Sequence, residues 1–268
     1  MLVYSFNVSI FTNIVLFYIK KFMNKYLAII NVKTFISVFI SILATYFSYQ
    51  YHIIYNIDLT LVSIAIVFPL VFSIRSSFRR REKALEHLSQ FSSAIKTIGY
   101  HFSILKNFPE DKKNEVSSML SEVSNAVIDH LKNKDTNTQQ LDETINKIHV
   151  FTLENTEFFS KGFNEKILKY LNKFHEAVDN LNAIHSHRTP ISLKAYCLVF
   201  IYIFPFVYTP SMINKIGIET TVLVPLFIVS VSQFFLISLY NIQDHMEYPF
   251  DQNGLDDIKM DQFKLDKS

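Results

Sequence analysis

Leu59-Thr-Leu-Val-Ser-Ile64-Ala-Ile-Val-Phe68-Pro69-Leu-Val-Phe72-Ser-Ile-Arg75 carries no charge until its last residue. Three further stretches share this character: Thr34–Tyr55, Ala195–Ile213 and Ile218–Tyr240. They fall two and two around a long polar middle. A helix of about 20 apolar residues crosses the hydrocarbon core of a bilayer. The pattern therefore predicts an all-α protein with four membrane spans and a cytosolic helical bundle between the second and third. The expected divisions are an interfacial segment over residues 1–26, two spans within 27–77, a cytosolic helical region over 78–190, two spans within 191–241 and a cytosolic tail over 242–268.

Composition sets further bounds. The chain has 268 residues and 49% hydrophobic residues, yet residues 75–188 are rich in Lys, Glu, Asp and Asn, so a single mixed core is not expected. The one cysteine, Cys197, excludes an internal disulfide and a cysteine-cluster metal site. It sits in an apolar stretch and reads as a small buried hydrophobe. Only four glycines are present, which disfavours glycine-rich phosphate loops and suits long helices. Tryptophan is absent, and Tyr46, Tyr49, Tyr51 and Tyr55 cluster where the first span should leave the bilayer, as an interfacial belt.

Charge placement orients the spans. Lys25 and Lys33 precede the first span, and Arg75, Arg79, Arg80, Arg81 and Lys83 follow the second. Short segments dense in Lys and Arg stay cytoplasmic. Both termini and the middle region are thus expected on the cytoplasmic side of the cell membrane, with residues 50–58 forming an outer loop. The third span begins after His187-Arg-Thr-Pro190, turns near residues 214–217, and the fourth returns to the tail. Leu2 to Ile19 is apolar but carries Asn7 and Asn13, with Lys20 and Lys21 after it. A signal peptide carries its charge before its apolar core, so this piece reads as an interfacial helix, or as sequence upstream of a true start at Met23.

The middle reads as helices throughout. Ala84, Leu88, Phe91, Ile95 and Ile98 recur at three- and four-residue spacing, which paints one helix face. A second helix is expected over 114–134, with Val116, Met119, Leu120, Val123 and Val127 inward. Two more are expected over 141–151 and 164–184, the latter facing inward with Ile167, Leu168, Leu171, Phe174 and Val178.

No catalytic arrangement emerges. The chain lacks a Walker loop, His-Glu-x-x-His and Gly-x-Ser-x-Gly. His185 and His187 lie two apart beside a span and read as solvated interfacial side chains, with a weak metal-binding or proton-sensing pair as the alternative. Neither of the first two spans carries the paired ionisable groups an intramembrane enzyme needs. An enzyme is not expected.

The second span is where chemistry concentrates. Ile64, Phe68 and Phe72 are four apart and share a face. Pro69 lacks the N–H that would bond the carbonyl of Ala65, which is costly in lipid unless a neighbour supplies a donor. An aromatic stripe alone reads as core packing. Beside a proline and a basic cluster it admits another role. Copies arranged about an axis could each contribute this face and enclose a conduit. Rings of Ile64, Phe68 and Phe72 would make an apolar neck that gates by dewetting. Aromatic ring edges are positive and suit an anion, and Arg75, Arg79, Arg80 and Arg81 at the inner mouth would concentrate anions.

On these residues the chain resembles the bestrophin family in its prokaryotic and plant form. Val67-Phe-Pro-Leu-Val-Phe72 leading into Ser76-Ser-Phe78-Arg-Arg80 is similar to the family's second span and the segment behind it. His187-Arg-Thr-Pro-Ile-Ser-Leu-Lys-Ala-Tyr196 resembles the approach to its third span, and Tyr202–Pro205 its Tyr-x-x-x-Leu-Pro run, with Phe204 in place of Leu. Glu247-Tyr-Pro249-Phe250-Asp-Gln-Asn-Gly-Leu-Asp256-Asp257 resembles its Asp-Pro-Phe-Gly element and the acidic residues beyond. The resemblance covers residues 32–261. It implies a pentameric, all-helical ion channel with a continuous central pore, whose neck matches Ile64, Phe68 and Phe72. It also implies a second, cytosolic constriction, for which Leu171 or Phe174 are the candidates. Animal members bind calcium through the acidic cluster. Here Asp251 stands where the family has Gly, and Gln252, Asn253 and Gly254 interrupt the acidic run, leaving Asp256 and Asp257. The tail element is therefore Pro249, Phe250, Asp256 and Asp257, with no metal and no cofactor expected, calcium being the one the resemblance raises. The partners expected are the lipid bilayer, small inorganic ions and further copies of the chain, and no nucleic acid. Chloride or another small anion is the expected cargo. A cation-selective channel and a non-conducting, membrane-anchored interaction or sensor protein are the alternatives.

Overall fold

The computed structural model describes residues 29–133, 137–252, 254 and 256–265. The interfacial segment expected over 1–26 lies outside them. The described residues form seven α-helices, two short 3-10 turns and no strand. The chain divides into two compact units, one of Met1–Arg75 with Pro190–Asp244 and one of Ser76–Thr189 with His245–Ser268.

The first unit contains α1 (Val32–Gln50), the start of α2 (Leu59–Ser103), α6 (Ile191–Ile216) and most of α7 (Leu223–Met246). All four helices contain segments long and apolar enough to cross a bilayer, and the chain is a multi-pass membrane protein. Helix α1 opens on a capping box: Thr34 N–H donates to the Asn31 side chain, and Asn31 N–H donates to Thr34 Oγ1, each at 3.2 Å. Its buried face is Thr34, Ser37, Ser41, Ala44, Thr45 and Ser48, while its bulky Phe and Ile residues point outward. Small residues let helix backbones approach closely in lipid, where apolar burial between helices has no driving force. Thr45 meets Thr209 of α6 at 3.5 Å, and Ser41 donates to Ser230 of α7 at 3.4 Å. Gly217, with φ of +92°, ends α6 in a conformation that L side chains rarely adopt. Helix α7 starts at Leu223, so Ile218–Thr221, read above as the start of the fourth span, lies in the connecting loop.

The tyrosine belt is divided. Tyr46 and Tyr51 are exposed, whereas Tyr49 donates to the carbonyls of Ile218 and Thr220, both at 3.3 Å, and Tyr55 donates to that of Phe206 at 2.9 Å.

The second unit packs the rest of α2 with α3 (Glu110–Lys132), α4 (Gln139–Glu154), α5 (Lys161–Ser186) and the tail. Ala84, Leu88, Phe91, Ile95 and Ile98 are all buried in its core. A knot of rings joins Phe102, Phe108, Phe151, Phe159 and Phe163 at the end of α2. Acidic Glu110 and Asp111 open α3, and His130 and Lys132 close it, each complementing the helix dipole. The tail is a packed part of this unit: Phe250, Ile258 and Met260 are buried in the same core, and Leu265 N–H donates to Ser124 Oγ at 2.9 Å.

The second span and the helical segment that follows it form one continuous 45-residue helix, α2. Ser76 to Ile98 contains neither glycine nor proline and is rich in Arg, Lys, Glu, Ala and Leu, so nothing in it ends a helix.

Candidate functional site

In the membrane unit α2 has two unlike faces. Ile66, Leu70 and Ser73 are buried, and Leu70 packs with Cys197, Ile201, Ile237 and Tyr240. The other face leaves Ile64, Phe68 and Phe72 at 51%, 61% and 55% exposure. The Phe68 and Phe72 rings meet edge to face, with centroids 5.2 Å apart. Arg75, three residues beyond Phe72, is exposed and continues that face. Pro69 lies inside the helix without breaking it, because the Tyr196 hydroxyl of α6 donates to the freed carbonyl of Ala65 at 3.4 Å. The sequence shows the orphaned carbonyl but not which residue reaches it.

In the second unit the basic cluster does not act as one group. Arg79 is exposed. Arg80 is part-buried; its guanidinium donates to the carbonyl of Glu247 at 3.2 Å and to that of Ile184. Burial pulls its pKa below the usual guanidinium value, and Glu247 opposes that shift. Arg81 donates to the carbonyl of Asp256 at 2.6 Å and pairs with Glu82 at 3.2 Å. Arg80 and Arg81 thus spend donors on the tail, and of the four arginines expected at an inner mouth Arg75 and Arg79 are exposed while Arg80 and Arg81 are part-buried.

The candidates for a second constriction lie in the interior of the second unit. Leu171 and Phe174 are 4% and 0% exposed and lie within the core, where the Phe174 ring sits 5.6 Å from that of Phe91. Leu168, expected to face inward, is exposed instead. At three- and four-residue spacing Ile167, Leu171, Phe174 and Val178 fill one face, and Leu168 is one residue off it.

The tail element is held together by hydrogen bonds to its own backbone. Phe250 is buried with its ring 6.3 Å from His185, Ile258 N–H donates to the Pro249 carbonyl at 3.0 Å, and Gln252 donates to the Ile258 carbonyl at 2.9 Å. Asp257 accepts from Gly254 N–H at 2.6 Å. Burial, with the Asp251 carboxyl beside it, pushes the Asp257 pKa up to about 6. Asp256 contributes its carbonyl to Arg81 and leaves its side chain exposed. Among the described residues no three His, Cys, Asp or Glu gather as metal ligands.

Solved structures of a bacterial Bestrophin homolog from Klebsiella pneumoniae superpose on the chain. One superposes with a TM-score of 0.70 at 14% identity, over 86% of this chain and 93% of that one. A single-substitution variant of it superposes with a TM-score of 0.71 at 15% identity, over 86% and 94%. The chain has a bestrophin-like fold. No protein-family model matches it, and no curated protein matches it in sequence.

Proposed function

We propose that the chain is an oligomeric channel for chloride or other small anions, with its neck formed by Ile64, Phe68 and Phe72 of α2 from each copy. The observation that carries this reading is the two-faced helix. One face of α2 is spent inside the protomer, and the other presents three bulky apolar side chains with an arginine at their end. The bestrophin-like fold over 86% of the chain supports it, and a closed ring of five copies is the assembly that the family resemblance implies. A narrow apolar ring conducts only when wetted. Phenyl edges favour a partly dehydrated anion, and Arg75 and Arg79 raise the local anion concentration. The same charge placement puts both termini on the cytoplasmic side of the cell membrane.

The test is reconstitution in liposomes. Subunits are counted by native mass spectrometry, and chloride flux is compared with potassium flux before and after replacing Phe68 and Phe72 together by alanine. Five subunits, chloride flux and a changed flux or ion preference in the double variant are expected. Potassium flux without chloride flux would reverse the selectivity. A non-conducting monomer would favour the anchored interaction protein, and unchanged flux in the double variant would remove the neck assignment.

A further inference from the structure

Proline inside a helix frees the carbonyl four residues earlier, and in a bilayer no water is at hand to answer it. The membrane unit contains three such prolines, Pro69, Pro205 and Pro210. Each freed carbonyl receives a side-chain donor from elsewhere in the unit. Ala65 receives the Tyr196 hydroxyl at 3.4 Å, Ile201 the Gln233 amide at 2.9 Å, and Phe206 the Tyr55 hydroxyl at 2.9 Å.

The three locks differ in what they hold. Gln233 is fully buried and binds within helix packing. Tyr55 ties the outer loop to α6. Tyr196 alone acts on α2, and the carbonyl it holds lies between Ile64 and the Phe68-Pro69 turn. Its bond is the longest of the three, and Tyr196 is 40% exposed. Beside Ala65 runs a groove of about 280 Å³ lined by Leu61, Val62, Ile66, Phe200, Phe204 and other apolar side chains. Such a groove offers no competing donor.

We propose that Tyr196 is a positioning residue for the neck: its hydroxyl stands in for the N–H that Pro69 lacks, and its making or breaking sets the bend between Ile64 and Phe72. The proposal rests on the channel reading above. It assigns a determinant of that neck which lies on a different helix and lines no pore.

The experiment is a cycle of four proteins reconstituted in planar bilayers: wild type, Tyr196→Phe, Pro69→Ala and the double variant. Tyr55→Phe serves as the control that removes a lock away from the neck. Alanine at position 69 restores an N–H to Ala65. Tyr196→Phe should shift the open-to-closed ratio of the wild type by about fivefold, the weight of one net hydrogen bond, and should have no effect on the Pro69→Ala background. Tyr55→Phe should leave that ratio alone while lowering the melting temperature. An equal effect of Tyr196→Phe on both backgrounds, no effect on the wild type, or a matching gating shift from Tyr55→Phe would each overturn the proposal. Wild-type protein that carries no current would sink the channel reading itself and the neck role with it. The melting temperatures of the same four proteins report separately on the lock. Coupling between positions 196 and 69 in melting supports the hydrogen bond, and additivity removes it.

Discussion

The side-chain amide of Gln233 on α7 donates at 2.9 Å to the carbonyl of Ile201 on α6, the carbonyl that Pro205 leaves without a helical partner. The same amide also reaches Ser37 of α1, so one fully buried side chain joins three helices. Its Oε1 has no partner among the described residues. Replacing Gln233 by leucine removes that unpaired oxygen but orphans the Ile201 carbonyl. Cross-helix hydrogen bonds in membranes are worth about 0.6–1.7 kcal/mol. Gln233→Leu should therefore destabilise the protein by about 1 kcal/mol, and the loss should shrink on a Pro205→Ala background. Thermal unfolding in detergent, followed by circular dichroism, measures both.

Arg80 binds the carbonyls of Glu247 and Ile184 within one unit and so fastens the tail to the end of α5. Arg80→Met keeps much of the packing and leaves those two carbonyls short of a donor. Each unsatisfied buried group costs about 1–3 kcal/mol. The tail should then open locally well before the unit unfolds, and limited proteolysis should cut within residues 247–260 at least tenfold faster than in the wild type, as a loss of about 1.4 kcal/mol would give. Unchanged cutting would mean that Phe250, Ile258 and Met260 hold the tail by burial alone.

Periodicity made the helices legible. Ala84, Leu88, Phe91, Ile95 and Ile98 are buried as their spacing dictates, because a soluble helix must turn its apolar stripe inward. The same rule fails in the membrane unit. There the buried face of α1 is Thr34, Ser37, Ser41 and their small neighbours, while Phe35 and Phe39 are exposed. Lipid removes the apolar driving force, and close approach decides instead. A stripe of small residues at three- and four-residue spacing was the signal available. Helix ends were visible where glycine or proline stood, as at Pro109 and Gly217, and invisible between Ile74 and Glu82, where no residue breaks the helix. That Ile64, Phe68 and Phe72 share a face could be read from spacing, but that this face is exposed could not. The donors from Tyr196 and Gln233 could not, since they are set by tertiary register. Arginine clustering likewise hid a division of labour, because charge alone does not say that Arg80 turns inward.

Phe174 and Leu168 separate core packing from surface. Phe174→Ala empties a fully buried site beside Phe91 and should cost about 3–5 kcal/mol. Leu168→Ala, on an exposed position, should stay within about 0.5 kcal/mol of the wild type. Chemical denaturation in detergent checks both. A Phe174→Ala protein of wild-type stability with altered flux would restore that residue to a constriction.

The carboxyl of Asp257 makes the tail sensitive to pH. Its pKa rises from the ordinary 3.8 to about 6, through burial first and the neighbouring Asp251 carboxyl second. A carboxyl with a raised folded pKa binds its proton more tightly folded than unfolded. Below about pH 4 both states are protonated and the tail bears no penalty. As pH rises toward 6 the unfolded state ionises first, and docking weakens until the folded carboxyl has also ionised. A full shift of this size would be worth about 3 kcal/mol, and with the group only part-buried, solvent screening reduces it to roughly 1 kcal/mol. Asp257→Asn keeps an oxygen to accept from Gly254 N–H and removes the charge. It should stabilise the tail at pH 7 by about 1 kcal/mol, have little effect at pH 4, and flatten the profile between. Hydrogen exchange of the Ile258 amide, which donates to the Pro249 carbonyl, reads the docking directly after correction for intrinsic exchange rates. A profile of equal slope in the variant would assign the pH dependence to another group.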